Sequence, residues 1–455
     1  VLQYTGFHAT QELQAIQLLN RARNLDDFLE GREKLDVGSQ NWVYADVEGN
    51  LAYFISAEMP LRTDLVEGRV VGLPPYFVRD GKSGWNNWIP DPTATPNQAI
   101  PFAILPFDEM PQTINPENDF FVNANNDPAG TTLDNDPLNQ YRTSNPEAIY
   151  YLNPGYADGL RAGRITQLIE DHRGKISFED MKLFQSNTQQ LDAELMTPFL
   201  LDAFEYASST DAPAELAELA VDPDIIEAVG RLAKWDFSTP TGIPEGYDAK
   251  DRNGFRKRQV SIHEAKASVA ATIYNMWRGQ AIRNIIDDRL DQIGLGGNLP
   301  NSRDALKALY NILSQKPYTG VAAAGVDWMP EPAVLSAGER RNLALLQVLR
   351  DALDRLASPE FAPAFGESTM QGRYRWGKLH RIVFDHPFED AFNIDTFNIP
   401  PQAGFKNLGP DLPGLARDGG YEVVNRSAFS ARAEDLNTFM FERGSVRRYV
   451  GQARR

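Results

Sequence analysis

Asn41-Trp42-Val43-Tyr44-Ala45-Asp46, Val47-Glu48-Gly49-Asn50 and Leu51-Ala52-Tyr53-Phe54-Ile55 follow one another without a break. The two outer runs are aromatic and β-branched, and the tetrad between them is turn-forming. This pattern predicts a β-hairpin. Before it the spacing is helical. Leu13, Ile16, Leu18, Leu19 and Ala22 recur on one face behind Thr10 as a cap, and a second short helix runs from Asp26 or Asp27 through Leu35.

Beyond the hairpin, residues 72–154 are rich in Pro, Asn, Asp and Trp and have little periodicity. So long an irregular stretch is expected to be functional or packed around other elements. Within it, Asp119-Phe120-Phe121-Val122-Asn123-Ala124-Asn125-Asn126 predicts a strand stopped by Asp127-Pro128. From Tyr156 the chain turns helical. Arg161, Arg164, Ile165, Leu168 and Ile169 open one helix, and Ser177-Phe178-Glu179-Asp180 reads as a capping box starting an amphipathic segment through about Phe204. Further helices are expected at 212–233, 260–293, 302–314 and 336–357, with Gly294-Leu295-Gly296-Gly297 as a helix stop. Strand is expected again at Tyr421-Glu422-Val423-Val424 and Ser445-Val446-Arg447-Arg448-Tyr449-Val450. The division expected is a sheet-forming part with long loops (1–155), a mainly helical region (156–360) and a return to the sheet (361–455).

Composition narrows the function. Of 455 residues, 42% are apolar and 24% charged, which supplies a folded core. Acids outnumber bases 62 to 45, a net charge of −17, and no basic patch interrupts the excess, so nucleic acid is not an expected partner. With no cysteine, disulfides, thiolate ligands and thiolate nucleophiles are excluded. No run approaches the roughly 20 apolar residues of a membrane span. His263-Glu264 begins like a zinc-protease signature, but position 267 is Ala. His380 and His386, near Trp376, read as structural. There is no Gly-x-Ser-x-Gly elbow and no phosphate-binding loop of the Walker type. A paired-carboxylate site is not excluded by composition, but nothing singles out a pair. Asn123, Asn125 and Asn126, after Phe-Phe-Val, are unusual in a strand. They read either as amides delivered at a sheet's end, the uncharged donors an oxyanion hole asks for, or as amides that bridge turn backbone.

Several segments together resemble the large chain of the penicillin acylase family, the N-terminal-nucleophile amidohydrolases. They are Ser39–Asp46 with Gly49-Asn50, Phe121–Pro128, Arg161-Ala162-Gly163-Arg164-Ile165, Ile176–Met181 with Gln185, Leu232–Asp236, and Trp376-Gly377 with His380. They occur in the family's order over nearly the whole chain. The resemblance implies an α+β fold, the four-layer αββα sandwich with a large helical insertion. It implies hydrolysis of a linear amide, removing an acyl group from an amine such as a penicillin or cephalosporin nucleus or a homoserine lactone. The nucleophile would be a Ser whose own α-amino group, with a pKa near ~8, serves as base. Asn125 matches the family's oxyanion donor and Arg164 the Arg near the nucleophile. Phe7 and Trp42 would line the acyl pocket, or serve the core. No cofactor is implied for catalysis. A structural Ca²⁺ is implied in many members, with Asp136, or nearly as well Asp134, as its downstream carboxylate here; a surface turn is the plainer reading of both. The expected partners are a small chain of the same precursor and a small-molecule amide, and the expected location is periplasmic or secreted.

One departure is plain: residue 1 is Val, not Ser. The expectation is therefore an incomplete large chain, lacking the nucleophile segment and the C-terminal end and inactive alone. The alternative from a different class is a non-catalytic extracytoplasmic protein whose loops at 85–126, with Trp85, Asn86, Asn87 and Trp88, bind carbohydrate or peptide.

Overall fold

The structure, a computed structural model, describes residues 2–94, 98–249, 259–322, 325–384, 388, 408, 411–444 and 448–453. It is an α+β chain of helices and small antiparallel sheets. It divides into two compact units, Val1–Ala162 with Gly451–Arg455, and Gly163–Val450.

In the first unit, α1 (Glu12–Arg21) and α2 (Leu25–Arg32) precede β1 (Gln40–Ala45) and β2 (Leu51–Ser56). The hairpin forms in the register its turn dictates, from Gln40↔Ser56 to Ala45↔Leu51. Asp46 closes the turn by accepting the backbone N–H of Glu48 at 2.9 Å and of Asn50 at 3.0 Å. Behind it, Phe28 of α2 packs against the rings of Trp42, Tyr44 and Phe54 at 6.3, 5.2 and 5.5 Å. The helices are capped differently from the sequence expectation. Gln11, not Thr10, precedes α1, and Asn24 caps α2 by accepting from Asp27 N–H at 2.8 Å. A short α3 (Thr63–Val66) follows, and β3 (Gln112–Ile114) adds to β2 through Phe54↔Gln112.

The irregular stretch is organised by buried charge. Asp64, fully buried, ion-pairs with Arg79 and accepts the N–H of Val71 at 3.0 Å. Arg142 grips Glu109 through two bonds of 3.0 and 2.8 Å, both side chains about nine-tenths buried. At Gly68 (φ +70°) the backbone passes so close to Glu147 that a Cβ would lie 2.3 Å from its carbonyl oxygen, so only Gly fits.

The strand expected over 119–126 is not formed. Its residues are extended or turn, with a single parallel bridge, Asn126↔Ala157. Asp119 and Asn125 adopt positive φ (60° and 64°), which breaks the pleat.

The helix α4 (Leu160–Asp171) leads into the second unit. The capping box at Ser177 is present and starts α5 (Phe178–Gln185). The single segment expected from there to about Phe204 is instead two helices. Ser186 to Gln190 intervene before α6 (Leu191–Ala207), because Asn187 turns the chain by accepting Gln189 N–H at 3.0 Å. Next come α7 (Ala214–Ala220), α8 (Pro223–Leu232) and α9 (Ile262–Ala281), the last continued by a π-helix, Ile282–Asp287, and α10 (Asp288–Gln292). Gly294, at φ +82°, stops α10, the role expected of that cluster. Then follow α11 (Ser302–Leu313), α12 (Ala337–Leu356), α13 (Ala362–Phe365) and α14 (Trp376–Leu379). Ser261 and Ser336 open α9 and α12 with capping boxes to Glu264 and Glu339. α9 packs on α8 and α12, and its Tyr274, Met276, Trp277 and Arg278 are fully buried.

The tail carries paired two-residue strands: β4 (Arg381–Ile382) with β5 (Leu415–Ala416), and β6 (Ser427–Ala428) with β7 (Arg443–Gly444). The strand expected at Tyr421–Val424 is a turn, since Glu422 sits at φ 46°. Of the last expected strand, residues 445–447 lie outside the described residues, and Arg448 to Val450 form no ladder. His386 also lies outside them.

Candidate active site

Asn125 is held by the first unit's hairpin through a relay of polar bonds. Tyr53 of β2 donates its hydroxyl proton to Asn41 Oδ1 of β1 at 2.7 Å and accepts from Asn123 Nδ2 at 3.1 Å. Asn123 Oδ1 in turn accepts the backbone N–H of Asn125 at 3.2 Å. The Phe121 ring lies against Tyr53 at 5.5 Å, and Ala157 N–H bonds the Asn125 carbonyl at 2.8 Å. Burial pushes the Tyr53 phenol up to about 12, so it stays a neutral hydrogen-bonding link. On the far side, Asp127 gathers the loop 127–132. Burial alone would raise its carboxyl, but bonds from Ala129 N–H, Thr132 and Gly130 N–H outweigh that and hold it below the usual range.

The asparagines of the cluster have different settings. Asn123 and Asn126 bridge backbone, the latter by accepting Ala124 N–H at 2.9 Å. Asn125 is exposed, and its side chain meets a guanidinium: Arg161 Nη2 donates to Asn125 Oδ1 at 3.2 Å. A guanidinium only donates, so it selects the amide's oxygen edge. The Asn125 NH₂ is thereby turned the other way, and it donates to no protein atom among the described residues. A fixed, uncharged donor with an open face can stabilise a developing oxyanion.

Arg161 lies in the same matching segment as Arg164. It stands three residues before Arg164 on the same helix, and spacing alone does not say which of the two reaches the Asn. Arg164, in the second unit, is about nine-tenths buried and ion-pairs with Glu194 of α6. Gly163 beside it lets α4 approach Leu191, whose Cδ2 would lie 2.7 Å from a Cβ.

The remaining candidates occupy diverse settings. Phe7 ends a 3₁₀ turn, Thr5–Phe7, and is 67% exposed, its ring edge-on to Tyr4 at 5.4 Å. Trp42 is half-buried on β1, and its buried indole N–H has no partner among the described residues. Asp136 and Asp134 belong to one exposed turn. Asp134 accepts Asp136 N–H at 3.0 Å, and Asp136 accepts Leu138 N–H at 3.0 Å. Among the described residues no group of three or more His, Asp or Glu could hold a metal ion. Two turn carboxylates fall well short of the ~6–8 oxygens Ca²⁺ takes, so they do not by themselves fit the ion. In the 85–126 loops, Trp88 is buried edge-on to Phe102 at 5.3 Å, and Arg69 covers the Trp85 ring at 4.3 Å. Trp88 is thus withdrawn from the surface, while Trp85 remains 37% exposed.

Among the described residues no helix is long and apolar enough to cross a membrane. The chain is thus an α+β protein carrying an oriented amide donor on a hairpin-braced loop. A family model described as Penicillin amidase matches residues 1–454, and the chain belongs to that family. Its chemistry is amide hydrolysis.

Proposed function

We propose that this chain supplies the oxyanion-stabilising part of an amidohydrolase that removes an acyl group from an amine. Asn125 Nδ2 donates to the carbonyl oxygen as it gains charge, and Arg161 is the positioning residue that keeps the amide in that orientation. The observation that carries the reading is the Arg161–Asn125 bond, which leaves the Asn125 NH₂ facing outward. The resemblance gave the guanidinium role to Arg164; its pairing with Glu194 favours a structural role there and the active-site role for Arg161.

In this reading a Ser with a free α-amino group attacks the amide carbon. The amine takes the hydroxyl proton and passes it to the leaving amine, and water then hydrolyses the acyl-ester. Exposed Phe7 and half-buried Trp42 would offer the acyl group apolar surface. The substrate class is an acylated β-lactam nucleus or an acyl-homoserine lactone. The four-layer sandwich, a small chain of the same precursor as partner, autoproteolytic release of the Ser and a periplasmic or secreted location belong to the same proposal. Family membership supports it.

Expression from the complete reading frame, followed by sulfonyl fluoride labelling and peptide mass mapping, tests the nucleophile. The expected result is one modified Ser at a chain N-terminus with amidase activity lost in parallel. Amidase activity from a protein with no such Ser would overturn the proposal.

A further inference from the structure

The helices α13 (Ala362–Phe365) and α14 (Trp376–Leu379) flank a cleft of about 520 Å³, lined among others by Gly366, Gly372, Arg373, Arg375 and Lys378. Three cations line it and no carboxylate does. The chain carries 62 acids against 45 bases, so carboxylate partners are plentiful elsewhere. None of the three forms an ion pair among the described residues, whereas Arg231 nearby is paired with Glu227 at 2.6 Å.

The donors are only partly used. Arg375 Nη1 donates to the carbonyls of Gly372 and Tyr374, each at 2.6 Å, and its Nε and Nη2 have no partner among the described residues. Lys378 Nζ donates to Ala364 O at 2.7 Å, leaving two protons. Arg373 is exposed, and its guanidinium has no partner among the described residues. Arg375 and Lys378 are half-buried. Burial and the Arg375 charge lower the Lys378 pKa, outweighing the opposing field of Glu245, and burial with the Arg231 charge lowers that of Arg375. Holding these like charges together costs stability that an anion would return.

We propose that this cleft binds a phosphate group, either free orthophosphate or the phosphate of a small phosphomonoester. Two guanidinium forks and an ammonium match an ion of tetrahedral oxygens carrying ~1.5–2 negative charges. A chloride ion offers no such geometry.

Isothermal titration of the full chain with orthophosphate and with glycerol phosphate, at matched ionic strength against chloride, tests this. Arg375 braces two carbonyls, so the variant is the double substitution Arg373→Gln with Lys378→Gln, which keeps a donor for Ala364. Lys378→Arg serves as rescue. Saturable phosphate binding, weakened at least tenfold in the double variant and largely retained in Lys378→Arg, is the expected result. Tighter binding of glycerol phosphate would assign an esterified ligand, and tighter binding of orthophosphate the free ion. A response equal to that of chloride, or phosphate binding unchanged in the double variant, overturns the proposal.

Discussion

Replacing Arg161 by Ala removes the bond from Nη2 to Asn125 Oδ1 at 3.2 Å. A hydrogen bond to a charged group contributes ~1.5–3 kcal/mol. This one is long and solvent-accessible, which places it at about 1–1.5 kcal/mol. If Arg161 acts by fixing the amide, that energy appears in the barrier and lowers kcat by roughly 5–15-fold. KM should hardly move, because the orientation matters when the carbonyl oxygen gains charge. Asn125→Ala, by contrast, removes the donor itself and should cost ~10²–10³ in kcat. The two losses cannot add, since without Asn125 there is no amide to position. The double variant should be no slower than Asn125→Ala alone, and Arg161→Lys should recover part of the rate. Steady-state kinetics of the four proteins, expressed from the complete reading frame, supply the cycle. Additive losses, or an Arg161 effect confined to KM, would refute the positioning argument.

In the second unit, Asp192 and Arg278 form an ion pair of 2.9 Å at 2% and 0% side-chain exposure, completed by the Tyr274 hydroxyl at 3.0 Å. Asp192→Asn leaves that guanidinium buried without its counter-charge and should cost ~3–5 kcal/mol in urea unfolding; a loss under about 1 kcal/mol would contradict the burial described. His380, stacked on Trp376 at 5.3 Å and bonded to Phe439 O and Ser427 Oγ, has its pKa pushed down to about 3 by burial and by Arg417. The unfolded chain protonates it near ~6.5, so its share of stability is lost as pH falls from there toward 3, by up to ~1.4 kcal/mol per unit. Glu58 works the other way, raised to about 7 by burial and then Asp36, so it costs stability as pH rises toward 7. The His380→Gln variant should lose the acid-side slope, and the His380 ring resonance should not titrate above pH 5.

The sequence read best where local chemistry and packing agree. The hairpin is legible because its aromatic and β-branched residues both favour strand and face Phe28. The capping box at Ser177 marks a helix start because its reciprocal bonds involve residues three apart. It read worst where side chains compete with the backbone ladder. Phe120-Phe121-Val122 promised a strand, but Asn123 and Asn126 accept backbone N–H bonds two residues away and turn the chain. That same competition puts Asn125 at positive φ with its amide exposed, so the failed strand is where the candidate site lies. The segment after Gln185 failed for the same reason, through Asn187. Arg161 and Arg164 could not be told apart by spacing. Only the tertiary partners, Asn125 for one and Glu194 for the other, separate them.

In the proposed reading Asn125 stabilises the oxyanion of an amide-hydrolysing site. The measurement that meets it most directly is the rate of amine release from N-acyl substrates by the protein expressed from its complete reading frame, with Asn125 and with Asn125→Ala. The account predicts hydrolysis by the first and a kcat lower by ~10²–10³, at similar KM, for the second. An undiminished kcat in a folded Asn125→Ala protein would contradict it.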